Sequence, residues 1–354
     1  MRSRLKNFFN QKMDETRKNN FDFFRLLFAT LVFVTHSYVI TGNDEIDFLH
    51  HATSGKISLS YIGVRGFFII SGYLIFQSLL RSKNIIDYMW KRILRLIPGL
   101  FVMLIFTLCL VPWVYEKPKL SLLQNPSYLS YLPNNLILYK PQFVIEGIFD
   151  SNPFKSSING SLWTIQYEFT LYLILIILFA VRNNQIYTRV ILIGAFITLF
   201  FGNTIFLDSL KIYEEHLLDF GYFFFAGALL SAFSFGDVRK KKIIILVSMA
   251  IVIFSIPTAY FSVTKLLVLP VLITLLSSSS TRYINDIGVK IGDLSYGIYI
   301  YAFPIQQTIV YFTGCNTLEL IISGMTITTI VSVVSWHFIE KKALSYKSIF
   351  SRLH

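Results

Sequence analysis

The sequence predicts an all-α, polytopic membrane protein of about ten transmembrane helices, with both termini cytoplasmic. Three observations carry that prediction. Apolar residues make up 54% of the 354-residue chain and charged residues only 15%, against roughly 45–50% and about 25% in ordinary soluble domains. The apolar residues, including 34 Phe and 20 Tyr, gather into runs near the length of about 20 residues that spans a hydrocarbon core. Lys and Arg alternate between sides. With the N-terminus inside, 23 of the 32 fall in cytoplasmic segments, 7 in outer segments, and Arg25 and Arg65 lie within spans. This is the positive-inside pattern, and termini on one side require an even number of crossings. The same composition excludes disorder, a disulfide-stapled secreted domain and a typical soluble enzyme. Cys109 and Cys315 suit neither a disulfide framework nor a metal site. A net charge of +12 speaks in a membrane protein for topology and anionic lipid rather than nucleic acid.

Residues 1–20 are basic and polar and form a cytoplasmic segment, with no cleavable signal expected. Phe8 and Phe9, beside Arg and Lys, suit a short interfacial helix or a solvated tail equally. The membrane domain is expected over 21–345 and a cytoplasmic tail over 346–354.

The first run, 22–41, contains Asp22, Arg25 and His36. A charge at mid-bilayer costs at least about 2.5–3.5 kcal/mol, so such residues default to functional candidates. Arg25 and His36 fall within about 20° of the same helix face and ~16 Å apart along its axis. Asp22 lies one turn before Arg25 and can pair with it. The plain alternative is a snorkelling Arg25 and a His36 that only bonds a neighbouring helix.

The second run, 57–80, holds Arg65 among glycines, which leaves an interruption open. Small residues such as Ser71 and Gly72 let helices approach closely. At the start of the third run, 93–113, stand Arg92 and Arg95, i, i+3 on one helix face at the cytoplasmic boundary. Guanidinium forks grip phosphate bidentately, so a phosphorylated cofactor arriving from the cytoplasm would meet them. The long segment 114–160, rich in Pro, Asn, Ser and Tyr, lies outside as a partly ordered cap.

The fourth run, 161–181, carries Trp163 at the outer interface and Glu168 about two turns in. A buried carboxylate protonates or finds a cation; His36 and Arg65 are the candidate partners. A structural ion pair is the alternative. The remaining runs are 190–207, 216–235, 243–262, 263–279, 291–313 and 318–339, the boundary near Ser262–Lys265 being the weakest. Their polar residues are weaker candidates. His216 and Asp219, and His337 and Glu340, sit at span ends. Asp293, before Ser295 and Tyr296, is well placed by the helix dipole alone.

Together these segments resemble the membrane-bound acyltransferase family 3, over about residues 19–345. The resemblance rests on Arg25 to His36 with Asp22 before them, and on Gly-Val-x-x-Phe-Phe-x-x-Ser-Gly-Tyr-Leu-Ile from Gly63 to Ile75. It continues through Arg92, Arg95 and Pro98, then Ser-Leu-Trp-Thr-x-x-x-Glu-x-x-x-Tyr from Ser161 to Tyr172. Ser-Tyr-Gly-Ile-Tyr at Ser295–Tyr299 and Ile339–Lys341 complete it. Many relatives have an acid where this chain reads Arg65-Gly66, and His-x-Pro where it reads Ala302-Phe303-Pro304. The departures point to a subgroup.

The resemblance implies an O-acyltransferase using acyl-CoA, first of all acetyl-CoA, with a sugar or polysaccharide acceptor in the bacterial envelope. It places the protein in the inner membrane. Arg92 and Arg95 would hold CoA, with Arg25 on a phosphate or on the developing oxyanion. His36 would act as general base, or less favourably as an acyl-histidine. Arg65 is the nearer oxyanion candidate and Glu168 would orient His36. The competing reading is a transporter or flippase of a glycolipid or small anion using the same buried charges.

Overall fold

The computed structural model describes residues 19–43, 47–206, 210–233 and 238–352. The basic segment 1–18, with Phe8 and Phe9, lies outside them. Within them the chain is helical, and its extended pairings are two isolated bridges, Tyr115–Ile148 and Val144–Ser157.

Each predicted run contains a helix. They are α1 (Phe21–Ile40), α2 (Leu59–Arg81), α3 (Ile85–Val114), α4 (Trp163–Leu175), α5 (Gln185–Ile205), α6 (Ile212–Ser231), α7 (Val238–Ser255), α8 (Phe261–Ser277), α9 (Ser295–Thr313) and α10 (Thr317–Ser335). Six are long and apolar enough to cross a membrane: α1, α2, α3, α5, α4 with its 3-10 continuation to Ala180, and α10 with its continuation to Ser348. The others fall short for identifiable reasons. α6 opens on Glu214 and Glu215, and α7 on Arg239 and three lysines. α8 has only 17 residues. α9 is apolar but interspersed with Tyr and with Gln306 and Gln307.

Local chemistry explains the boundaries. Asn84 caps α3 by accepting from Asp87 N at 2.8 Å, so this helix starts two turns before the apolar run and carries Arg92 and Arg95 within it. Asn316 and Glu319 form a capping box on α10. The weak seventh–eighth boundary falls at 256–260, where Pro257 interrupts the chain, rather than at Ser262–Lys265.

The interruption left open near Arg65 does not occur; α2 is continuous. Its glycines serve packing instead. A Cβ on Gly72 would overlap the Phe224 carbonyl of α6, and one on Gly227 of α6 would overlap the Ile69 carbonyl of α2. The two backbones therefore touch. On its other face Gly63 and Gly66 accommodate Phe28 and Val32 of α1. Thus α2 lies between α1 and α6, and α9 lies between α1 and α10. α5 and α7 are peripheral, burying only Thr188, Leu192 and Asn203, and Ser248, respectively.

The 114–160 segment folds back on this bundle. It contains a 3-10 turn (Lys119–Gln124) and a helix (Pro126–Leu136). Ile145, Ile148, Phe149 and Ile158 are buried in it. Asn152 donates to the backbone and side-chain oxygens of Gln307, and Gln307 donates to the Phe154 and Ser157 carbonyls, which fastens the segment to α9.

Candidate active site

A cavity of about 450 Å³ runs between α2, α3, α4 and α9, within the size range of small-molecule sites. Along α2 its lining extends from Arg81 to Val64, about 26 Å at helical rise. Six basic side chains line it, Arg25, Arg81, Lys91, Arg92, Arg95 and Lys347, against one acidic side chain, Glu168.

These cations differ in what already satisfies them. Arg25 from α1 and Arg95 from α3 converge on the Asp293 carboxylate, Arg95 at 2.6 Å. Ser295 also donates to Asp293 at 2.6 Å. Asp293 precedes α9, so this cluster ties three helices together. Lys91 is paired with Asp87 at 2.7 Å. Arg92 has no carboxylate partner among the described residues. It donates to Ser78 Oγ at 3.2 Å, lies near the rings of Tyr88 and Tyr172, and its buried Nε lacks a hydrogen-bond partner. Arg81 and Lys347 likewise form no ion pair among the described residues. The cavity therefore keeps uncompensated positive charge at its Arg81 end.

Further in, Glu168 accepts from Ser71 Oγ at 3.0 Å and from the Tyr172 hydroxyl. Tyr296 lines the wall and donates to the Leu96 carbonyl at 2.8 Å. At the far end the lining consists of Val64, Phe67, Thr164 and Tyr299. Tyr299 and Thr164 hydroxyls are hydrogen-bonded at 2.7 Å, and Phe67 stands edge-on to Tyr299 with centroids 5.6 Å apart.

His36 lies beyond that end. Ser60 N donates to Thr35 Oγ1 at 3.0 Å, which sets His36 level with Ser60, about one helical turn past Val64. The imidazole packs edge-on against Phe303, 5.2 Å between centroids. Phe303 is one turn after Tyr299 and also meets Phe154 of the 114–160 segment at 5.8 Å. The buried Nδ1 of His36 has no hydrogen-bond partner.

Several sequence-predicted pairings are replaced by others. Arg25 pairs with Asp293 and not with Asp22, whose carboxylate abuts Gly288. Glu168 bonds Ser71 and Tyr172, and no hydrogen bond joins it to His36 or Arg65. Arg65 pairs with Asp219 of α6 at 2.5 Å and sits 3.7 Å over the Tyr61 ring, outside the cavity lining. Trp163 stands beside it in an aromatic cluster with Tyr167, His216 and Phe220. Arg25, Ser71, Arg92, Arg95, Glu168 and Tyr296 do meet in one cavity; Gly72 supports it from the α2–α6 contact. Asp293, Tyr172 and the Thr164–Tyr299 pair are the additions that tertiary structure makes. An acid beginning a helix at the level of two buried arginines was the available signal for Asp293.

A helical membrane protein with an internal, cation-lined cavity and an unpaired imidazole beyond its end has the parts of an enzyme working inside the bundle. The family comparison gives that class its name. Residues 18–337 match the family model described as an acyltransferase domain, and the chain belongs to the membrane-bound acyltransferase family 3. It is similar to the O-acetyl transferase of Shigella phage Sf6, 29% identical over 348 residues, covering 94% of this chain and 98% of that protein. It is also similar to nodulation protein 10 of Rhizobium leguminosarum bv. viciae, 24% identical over 357 residues and 94% of each chain. No solved structure matches it.

Proposed function

We propose that the protein transfers an acetyl group from cytoplasmic acetyl-CoA to a hydroxyl of an envelope or exported polysaccharide sugar, with His36 as general base. The observation that carries the reading is the line-up of a cation-lined cavity, its inner end at Val64, Phe67, Thr164 and Tyr299, and His36 about one turn beyond it. CoA is a polyanion with a long, thin arm. Its phosphates suit Arg81, Arg92 and Lys347, which form no ion pair among the described residues, and its arm suits the length of the cavity past Ser71. The positive-inside bias puts the Arg81 end in the cytoplasm, with ten crossings and both termini inside.

In the reaction His36 takes the proton of the acceptor hydroxyl. The oxygen attacks the thioester carbonyl, the C–S bond breaks, and the CoA thiolate leaves and is protonated. Arg25 and Arg95, held by Asp293, keep the cavity wall positive near the pantetheine arm. Glu168 fixes Ser71 and Tyr172 there. Arg65, tied to Asp219, fits a positioning role for α2 against α6 better than contact with the oxyanion. Phe154 and Phe303 put the acceptor approach on the side of the 114–160 segment. The O-acetyl transferase relative supports acetyl as the group transferred.

The test is base-labile acetate on isolated envelope polysaccharide. Cells carrying the wild-type protein are compared with cells lacking it and with cells carrying His36→Ala at matched membrane levels. Acetate is expected with wild type alone, with a loss of about 100-fold or more in the variant, as for removal of a general base. Equal acetate in all three would return the protein to the transporter reading.

A further inference from the structure

The cavity end and His36 are separated by a small set of side chains, and that separation has a consequence for the donor. On α9, Tyr299 lines the cavity and Phe303, one turn on, touches His36. On α2, Val64 and Phe67 line the cavity and Ser60, one turn before Val64, is level with His36. On α1, Phe28 packs against Phe67 with centroids 6.0 Å apart and backs the ring from behind. The part of the cavity lining nearest the level of His36 is therefore Val64, the Phe67 ring, the Tyr299 ring and Thr164, the last bonded to Tyr299 at 2.7 Å.

Resting on the acyl-transfer reading above, we infer that Phe67, Thr164 and Tyr299 form a gate whose size sets how long an acyl group can pass from the donor cavity to His36. The reacting carbonyl must come within reach of an oxygen activated by His36, so the acyl tail has to occupy space at or beyond these three side chains. Phe67 meets Phe28 on one side and Tyr299 on another, which restricts its ring, while its remaining surface borders the cavity. Thr164 is held by its hydroxyl, which points its methyl group into a fixed position. A short acyl group passes when the Tyr299–Thr164 bond opens; each further methylene needs volume that the Phe67 ring or the Thr164 methyl already fills. Exclusion of this kind discriminates by about tenfold or more per methylene. The specificity residues are thus aromatic and hydroxyl groups in the gate, and the basic residues that hold CoA take no part in choosing the acyl chain.

Two variants test this. Thr164→Ser keeps the hydroxyl that bonds Tyr299 and removes one methyl group. Phe67→Ala removes the ring. Inverted membrane vesicles containing each protein and the envelope polysaccharide are given equimolar acetyl-, propionyl- and butyryl-CoA. The acids released by base from the polysaccharide are then quantified. Wild type is expected to transfer acetate with little propionate or butyrate. Thr164→Ser should raise the propionyl-to-acetyl ratio several-fold, and Phe67→Ala should raise the butyryl-to-acetyl ratio about tenfold. Thermal unfolding in detergent and membrane level identify a variant that has lost its fold, and Thr164→Ser, differing by one methyl, keeps the test open if Phe67→Ala does not fold. Folded, active variants with wild-type ratios would overturn the gate while leaving acyl transfer intact. Wild-type vesicles releasing no acid above a His36→Ala control would instead overturn the acyl-transfer reading beneath it.

Discussion

Two arginines from different helices share one carboxylate at Asp293, and that arrangement makes opposite demands on the residues involved. Arg25 and Arg95 are mostly buried, with 19% and 15% of their side chains exposed. Removing the shared anion leaves two cations facing each other without compensation. Asp293→Asn is therefore expected to destabilise the protein by about 3 kcal/mol, the low end for breaking a buried pair. Denaturant or thermal unfolding in detergent measures this, and an unchanged midpoint would remove Asp293 from the role of structural anion. Arg92 is the converse case, a cation with no carboxylate partner among the described residues. Arg92→Lys keeps the charge but not the planar fork, and should weaken CoA binding about tenfold by calorimetry. Equal affinity would place the phosphates elsewhere. The arginines were legible in the sequence because a charge in an apolar run is costly wherever the helix ends up. Their partners were not: Asp22 lies one turn from Arg25, yet Asp293, 268 residues away, takes the bond.

Among the elements, α2 shows most directly how pattern and packing differ. Its glycines and Arg65 read equally as a break or as a contact surface. They prove to be a contact surface, because the Gly72 and Gly227 sites let α2 and α6 meet backbone to backbone. Gly72→Ala would drive a methyl group into the Phe224 carbonyl, which as backbone cannot rotate away. The expected cost is about 3 kcal/mol, the upper end for overpacking. The check is thermal unfolding of the purified variant; a wild-type midpoint would mean the helices can separate freely. α3 differs from its apolar run for a related reason. Hydropathy places a start at residue 93, but a capped, amphipathic extension from Ile85 continues the helix into the basic region. Arg92 and Arg95 consequently project from the interior of a continuous helix, two turns beyond its cap.

For the molecule as a whole, each of the ten runs contains a helix, six of them long and apolar enough to cross a membrane, and topology is the next property to measure. In a chain with Cys109 and Cys315 replaced by Ser, Lys140→Cys is expected to react with an impermeant maleimide in intact cells. Lys347→Cys should react only after permeabilisation. The reverse pattern would turn the molecule over and put the cationic cavity mouth outside the cytoplasm. The packing of the 114–160 segment against α9 brings Phe154 to Phe303, so the side opposite the cavity mouth is closed by protein and not by solvent alone.

By itself the sequence determined the membrane class, the placement of the helices, the sidedness expected from Lys and Arg, and which charged side chains fall within apolar runs. All of these follow from transfer costs and helical periodicity, which act residue by residue and need no knowledge of neighbours. The family resemblance was also legible, because its motifs are short and local. Only the tertiary structure decided that Glu168 serves Ser71 and Tyr172 instead of His36, that Arg65 belongs to Asp219, and that the imidazole packs on Phe303 outside the cavity lining. Each of those depends on how far one helix is rotated and shifted against another. That register is set by close contacts such as Gly72 on Phe224 and Gly66 on Phe28, between residues far apart in the chain.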